Sequence, residues 1–304
     1  MADPLAIALA FALEAVLGWP RWLYHLVGHP VGLAARLIAA CDIRFNRVGL
    51  PRRTLGIVAQ IFLIGAAAGL GLLLQALLDS PLLLALAAWP TLAARSLDDH
   101  LRPILAALRA GDLPAACAAL GRIVGRDTHE LGEDGIARAA IESLAESLCD
   151  GVIAPLFWLA VGGLPLAFAY KAANTADSMV GHIEEPYRAY GWAAARFDDL
   201  ANLIPARLSA LLIVVVAGKG ARVLCRDHGQ HASPNAGWPE AAMAGALGVR
   251  LAGPARYDGV VYDKPWIGDG VAPGMADLAR AISIYRRAWI ALAIMTGIGA
   301  LWFR

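Results

Sequence analysis

Long apolar stretches alternate with polar ones along the chain. Residues 54–78 carry no charge and are rich in Leu, Ile, Ala and Gly. A helix rises about 1.5 Å per residue, so this run can cross a hydrocarbon core of about 30 Å with some tilt. Residues 80–94 form a shorter uncharged run, interrupted by Pro90. Residues 152–170 are long enough to span, but Gly162, Gly163 and Pro165 break them. One kinked helix or a re-entrant pair of half-helices is expected there. Residues 200–218 are apolar apart from Arg207, and 288–303 close the chain between Arg286-Arg287 and Arg304. The pattern predicts an all-α, polytopic membrane protein with four to six membrane segments, built as a single membrane-embedded domain over 1–304.

Polar regions at about 95–150, 171–199 and 219–287 separate these segments. The first reads as helices: Leu101, Leu105 and Leu108 have helical spacing, and 112–123 continue it after Gly111. Ile136, Ala140, Ile141, Leu144, Ala145 and Leu148 then form an apolar stripe. In the third region, residues 227–238 read as a loop feeding a small-residue helix. Pro239 and Glu240 mark its start and Gly248 its stop. Arg36, Arg44, Arg47, Arg52 and Arg53 crowd the entry to the 54–78 helix and place that side in the cytoplasm. A turn at Asp79-Ser80 returns the chain, so 95–150 is expected there too.

Composition sharpens this picture. Of 304 residues 59% are hydrophobic and 17% charged, with mean hydropathy +0.57, whereas soluble domains carry about 25% charge. The 26 basic and 25 acidic residues leave a net charge of +1, which argues against a nucleic-acid binder relying on a strong positive field. Cys41, Cys117, Cys149 and Cys225 are scattered with no C-x-x-C pair, so no zinc or redox motif is indicated. Gly218-Lys219-Gly220 lacks the remainder of a phosphate-binding P-loop, and there is no G-x-S-x-G elbow. Met1-Ala2-Asp3 lacks the basic start of a secretory signal, so the apolar stretch at 4–13 is expected to be retained.

The acidic residues are concentrated. Asp127, Glu130, Glu133, Asp134, Glu142, Glu146 and Asp150 are followed by Asp177, Glu184, Glu185, Asp198 and Asp199. Glu142 and Glu146 share a helix face and would repel unless a cation sat between them. Mg²⁺ suits such a place, held by one or two carboxylates and phosphate oxygens. The alternative is a solvated face on which Arg138 pairs with Glu142. Asn174 and Asp177, one turn beyond Lys171, and Asp198, Asp199 and Asn202, near Arg196 and Arg207, adjoin apolar segments. They suit either a site at the membrane interface or helix caps and anchors. Arg126-Asp127-Thr128 suits phosphate recognition beside a metal carboxylate, or a capped helix start. The loop from Ser233 through Asn235 offers a helix N-terminus to an anion, although Glu240 would oppose one. His228 and His231 lack a third ligand and are expected to make hydrogen bonds. Asp134-Gly135-Ile136-Ala137-Arg138 falls one residue short of the motif of membrane CDP-alcohol phosphotransferases.

Several strings carry a resemblance. They are residues 125–151, the run Ala173-Asn174-Thr175-Ala176-Asp177-Ser178-Met179-Val180-Gly181, Ala195-Arg196-Phe197-Asp198-Asp199-Leu200, Ile204-Pro205-Ala206-Arg207, and 233–247, reading SPNAGWPEAAMAGAL. With Leu17-Gly18, Pro20 and His29-Pro30-Val31 near the start, the chain resembles the cobinamide-phosphate synthase (CobD/CbiB) family over nearly its whole length. Glu14 and Ser147 depart from the family's usual Asp and Asn.

The resemblance implies an ATP-dependent ligase that joins aminopropanol, or its phosphate, to a propionate of the corrinoid adenosylcobyric acid. ATP and Mg²⁺ are the implied cofactors, and the implied setting is the inner cell membrane with a cytoplasmic site and room for a homo-oligomer. Asp127, Glu142, Glu146 and Asp177 are the expected catalytic groups. Arg126, Lys171, Asn174, Arg196, Ser233 and Asn235 are expected to bind cofactor, and Asp150, Asp198 and Asp199 to bind metal. The competing reading is a polytopic transporter or binding protein for a corrinoid or other anion, which would bury its ionisable residues within the spans.

Overall fold

The computed structural model describes residues 3–182, 184–257 and 259–302. In chain order the helices are α1 (Pro4–Leu17), α2 (Arg21–Val27), α3 (Pro30–Phe45), α4 (Arg52–Leu77) and α5 (Pro81–Ala88). Next come α6 (Ala94–Arg109), α7 (Leu113–Leu120), α8 (Glu133–Leu148), α9 (Ala154–Val180), α10 (Tyr187–Tyr190) and α11 (Trp192–Ala201). The last are α12 (Leu203–Ala217), α13 (Ala221–Asp227), α14 (Gly237–Leu247) and α15 (Met275–Trp302). The expected helical architecture holds. Among the described residues three helical runs, Arg52–Leu77, Glu133–Val180 and Met275–Trp302, are long and apolar enough to cross a membrane. The number rises to as many as five if the bent pairs α1 with α2 and α11 with α12 each count as one span, which overlaps the four to six expected. Phe303 and Arg304, at the end of the expected closing segment, lie outside the described residues.

The chain forms two compact units. The first comprises Met1–Ala93, Asp150–Asn202 and Ala293–Arg304. Its core joins Ile38 of α3, Ala59 and Leu63 of α4, Ala176 and Val180 of α9, Tyr190 of α10 and Ala194 of α11. In contrast, Val58, Ile61, Phe62, Leu70, Leu72, Leu73 and Leu77 of α4 are exposed. A continuous apolar face of this length is stable against lipid and unfavourable against water.

The break expected in residues 152–170 falls inside α9, at Gly162 (φ −141°, ψ 17°) and Gly163 (φ 70°, ψ −156°). Only glycine adopts the second conformation without strain. The amide freed by the break is not orphaned: Leu164 donates to Gln75 Oε1 of α4 at 3.0 Å. An unpaired buried amide costs about 1–3 kcal/mol. Gln75→Leu is therefore expected to lower thermal stability by that amount, and an unchanged melting temperature in detergent would contradict this role.

The second unit comprises Ala94–Cys149 and Leu203–Leu292. The stripe predicted on α8 is its core: Ile136, Ala140, Ile141, Leu144, Ala145 and Leu148 are all fully buried, as are Leu101 and Ile104 of α6 and Leu120 of α7. The buried Asp98 is held by Arg102 at 2.5 Å and by Arg286 at 2.7 Å. Helix α14 starts at Gly237, two residues before Pro239, and stops at Gly248, whose φ of 75° ends it. Its small residues allow close approach: a Cβ at Gly245 would lie 2.8 Å from the Gly220 carbonyl oxygen.

Between α14 and α15 the chain forms two small antiparallel ribbons that the periodicity does not predict. In one, β1 (Leu251–Ala252) pairs with β4 (Trp266–Ile267); in the other, β2 (Ala255–Tyr257) pairs with β3 (Val260–Tyr262). Strands of two or three residues are too short to show an alternating pattern.

Candidate functional site

The residues singled out from the sequence fall into two sets, each within one unit. In the first unit, Asp150 lies in a single π-helical turn, Cys149–Ile153, ahead of α9. Asn174, one turn after Lys171, donates from Nδ2 to Asp150 Oδ2 at 3.1 Å and to Asp198 Oδ1 at 3.2 Å. Asp198 Oδ2 accepts from Asn202 at 3.0 Å, and Asn202 Oδ1 accepts from the Tyr170 hydroxyl at 3.1 Å. Lys171 faces Asp150 and Asp198 electrostatically. Asp199 pairs with Arg196 at 2.8 Å. The three carboxylates expected to hold metal are thus engaged by amides, an ammonium and a guanidinium. Asp177 sits at the end of α9, where its carbonyl accepts from Gly181 at 2.7 Å.

In the second unit, Arg126 precedes α8 and pairs with Glu142 Oε2. Glu142 Oε1 accepts the Ala252 amide of β1 at 2.7 Å. Glu142 is 5% exposed, so the reading of a solvated face on which Arg138 pairs with Glu142 does not hold. Arg138 instead donates to the carbonyls of Ala252 and Pro254 at 2.9 and 3.1 Å. Asp127 Oδ2 accepts from Gly259 at 2.8 Å, and the Asp127 amide donates to the Arg256 carbonyl at 3.0 Å, which fastens the β2–β3 ribbon to the segment before α8.

Ser233 and Asn235 shape the entry to α14. The Ser233 hydroxyl accepts from the amides of Asn235 and Ala236 at 3.2 and 3.3 Å. Asn235 Oδ1 accepts from Arg207 at 3.4 Å. His231 makes the expected hydrogen bond, its Nδ1 accepting from the Ser233 amide at 3.0 Å, whereas His228 stacks on Trp238 with centroids 4.0 Å apart.

Two pockets of this unit share Arg126. One, of about 430 Å³, is rich in arginine, with Arg126, Arg138 and Arg256 beside His129, Asp127 and Glu130. The Nε of Arg138 is buried without an acceptor. The other, of about 270 Å³, is lined by Arg126, Glu142, Ser143, Glu146, His231, Glu240, Tyr257 and Lys264. The sequence pointed to Arg126, Glu142 and Glu146 but not to Ser143, Tyr257 or Lys264. It also gave Glu240 and His231 no part in the site. The available signal was Glu240 itself, the one charge in an otherwise apolar, small-residue helix.

Glu240 is 4% exposed, and its Oε2 has no partner. Its Oε1 lies 3.9 Å from His231 Nε2, beyond hydrogen-bond reach. Burial, then Glu142 and Glu146, push the Glu240 carboxyl well above the usual carboxylate range, and Arg126 and Lys264 offset this only in part. Burial, with Lys264 adding to it, holds His231 below the usual imidazole value, so it stays neutral near pH 7. Among the described residues no group of three or more His, Cys, Asp or Glu is placed to hold a metal.

Comparison with known proteins gives one consistent result. The family described as CobD/Cbib protein matches residues 7–285. The cobalamin biosynthesis protein CobD of Rhodobacter capsulatus is 47% identical, with 97% of each chain covered. Those of a Sinorhizobium species and of Geobacter metallireducens are each 46% identical. The former covers 95% of each chain, and the latter 90% of this chain and 89% of its own. No solved structure matches. With helices long and apolar enough to span a membrane, and with likeness along nearly its whole length, the chain belongs to the CobD/CbiB family of cobalamin biosynthesis.

Proposed function

We propose that the protein joins aminopropanol, or its phosphate, to a propionate of adenosylcobyric acid by ATP-dependent amide formation. The chemical difficulty is that a carboxylate is a poor electrophile and an ammonium is no nucleophile. Phosphorylating the carboxylate and deprotonating the amine remove both obstacles. The observation that carries the reading is the pair of adjoining pockets of opposite character around Arg126. The wider one suits nucleotide phosphates: Arg126, Arg138 and Arg256 line it, and Arg126 and Arg256 are held there by Glu142 and Glu130. Asp127 supplies the one carboxylate that a nucleotide-borne Mg²⁺ asks of a protein. That ion, when bound, would shield the phosphate charge. Glu142 orients Arg126 through their ion pair.

The narrower pocket is too small for a corrin and suits a small amine, since cavities of about 300 Å³ mark the lower end for small-molecule sites. The arginine-rich entry to α4 supports a site on the cytoplasmic side of the inner membrane. The test is product formation by purified protein in detergent from adenosylcobyric acid, aminopropanol phosphate, ATP and Mg²⁺. Glu146→Gln is expected to lower that rate roughly 10- to 100-fold, and Asp177→Asn to lower it too. Near-normal rates in both would remove these residues from the reaction. Uptake into vesicles without any product would favour a transporter.

A further inference from the structure

We propose that Glu240 receives the ammonium group of the amine substrate and takes the proton that this group must lose before it attacks. This rests on the amide-forming reading above and adds a catalytic residue to it. The first observation is Oε2, a carboxylate oxygen on a 4% exposed side chain that lines the narrower pocket and has no partner. A buried acceptor left unpaired is costly, and native proteins keep one where a ligand completes it.

The second observation is the charge balance of that pocket. Glu142, Glu146 and Glu240 face two fixed cations, Arg126 and Lys264, and His231 is neutral near pH 7. The pocket is one positive charge short. Burial beside Glu142 and Glu146 displaces the Glu240 carboxyl upward, as expected where a cation is missing. An entering ammonium supplies the missing cation.

The reaction then balances. An N–H bond of the ammonium breaks and its proton passes to the Glu240 carboxylate. The freed lone pair attacks the activated propionate carbon and forms the C–N bond. The C–O bond to phosphate breaks, and phosphate leaves with that electron pair and with the second amine proton.

The test supplies the full-length, detergent-solubilised protein with adenosylcobyric acid, ATP and Mg²⁺, together with aminopropanol phosphate and hydroxylamine in competition. Hydroxylamine is already unprotonated at neutral pH, so it traps the activated carboxyl as a hydroxamate without a base. The readout is the ratio of amide to hydroxamate, which does not depend on how much protein is folded. Positioned bases contribute about 10²–10⁴-fold, so Glu240→Gln is expected to lower this ratio at least about 100-fold. Glu240→Asp, which keeps the carboxylate, is expected to restore part of it. A ratio unchanged in Glu240→Gln overturns the proposal. If the unaltered protein yields neither amide nor hydroxamate, the amide-forming reading itself fails. Calorimetric titration with aminopropanol phosphate then decides the role of Glu240: binding weakened at least tenfold in Glu240→Gln supports ammonium recognition, and equal binding overturns it.

Discussion

Glu142→Ala is expected to be the most damaging single substitution in the second unit. Both oxygens of this 5% exposed carboxylate are engaged, one by Arg126 and the other by the Ala252 amide. Removing one member of a buried ion pair costs about 3–5 kcal/mol, because the other charge is left uncompensated. Arg126, whose side chain is 14% exposed, would be that charge. Thermal unfolding in detergent measures the loss, and hydrogen exchange should show protection falling at Ala252 and its neighbours in the ribbons. Adding Arg126→Ala removes the stranded guanidinium. The double variant is therefore expected to be more stable than the sum of the two single losses by about 1–3 kcal/mol. Strict additivity would mean that the pair is not coupled.

The second large effect is expected within α4, where chemically identical substitutions should diverge. A Cβ at Gly71 would lie 2.6 Å from Pro165 Cα and 2.7 Å from the Leu164 carbonyl, both backbone atoms of α9. Backbone cannot rotate aside as a side chain does, so Gly71→Ala is expected at the upper end of overpacking costs, about 3 kcal/mol. A Cβ at Gly65 or Gly69 would meet nothing within 4 Å. Alanine there is expected to be neutral or to stabilise by up to about 1 kcal/mol, through helix propensity alone. Melting temperatures of the three variants check this: a loss at Gly71 of roughly 5–10 °C against little change at the other two. Equal behaviour would mean that α4 and α9 are not in backbone contact.

The contrast within α4 bears on function as well as stability. The tight crossing fixes α9, and α9 carries Lys171, Asn174 and Asp177. Asn174 lies beyond the Gly162–Gly163 break and from there reaches Asp150 and Asp198. A substitution far from any charged group, such as Gly71→Ala, is thus placed to disturb the polar cluster of the first unit.

The sequence by itself determined the elements whose signals are local. The 54–78 run became α4, because the length of an uncharged run encodes a span directly. Gly162, Gly163 and Pro165 marked the break in α9, because backbone conformation there depends on residue type more than on neighbours. The stop of α14 at Gly248 followed for the same reason, although the helix begins at Gly237, two residues before Pro239. The motif strings also pointed to the family that the comparisons show.

Tertiary structure decided which charges meet. Arg138 was the local candidate for Glu142, yet Glu142 takes Arg126 from another turn of chain and an amide 110 residues away. No spacing rule reaches that far. The ribbons carrying Ala252, Tyr257 and Lys264 to the pocket involve strands too short for periodicity to reveal. Glu240 looked like an obstacle to anion binding at a helix start; only burial and the absence of a partner for Oε2 mark it as the group that the pocket leaves to be completed. The net charge of +1 is a property of the whole sequence. The missing positive charge beside Glu240 belongs to a cavity, and a cavity exists only once distant segments have folded around it.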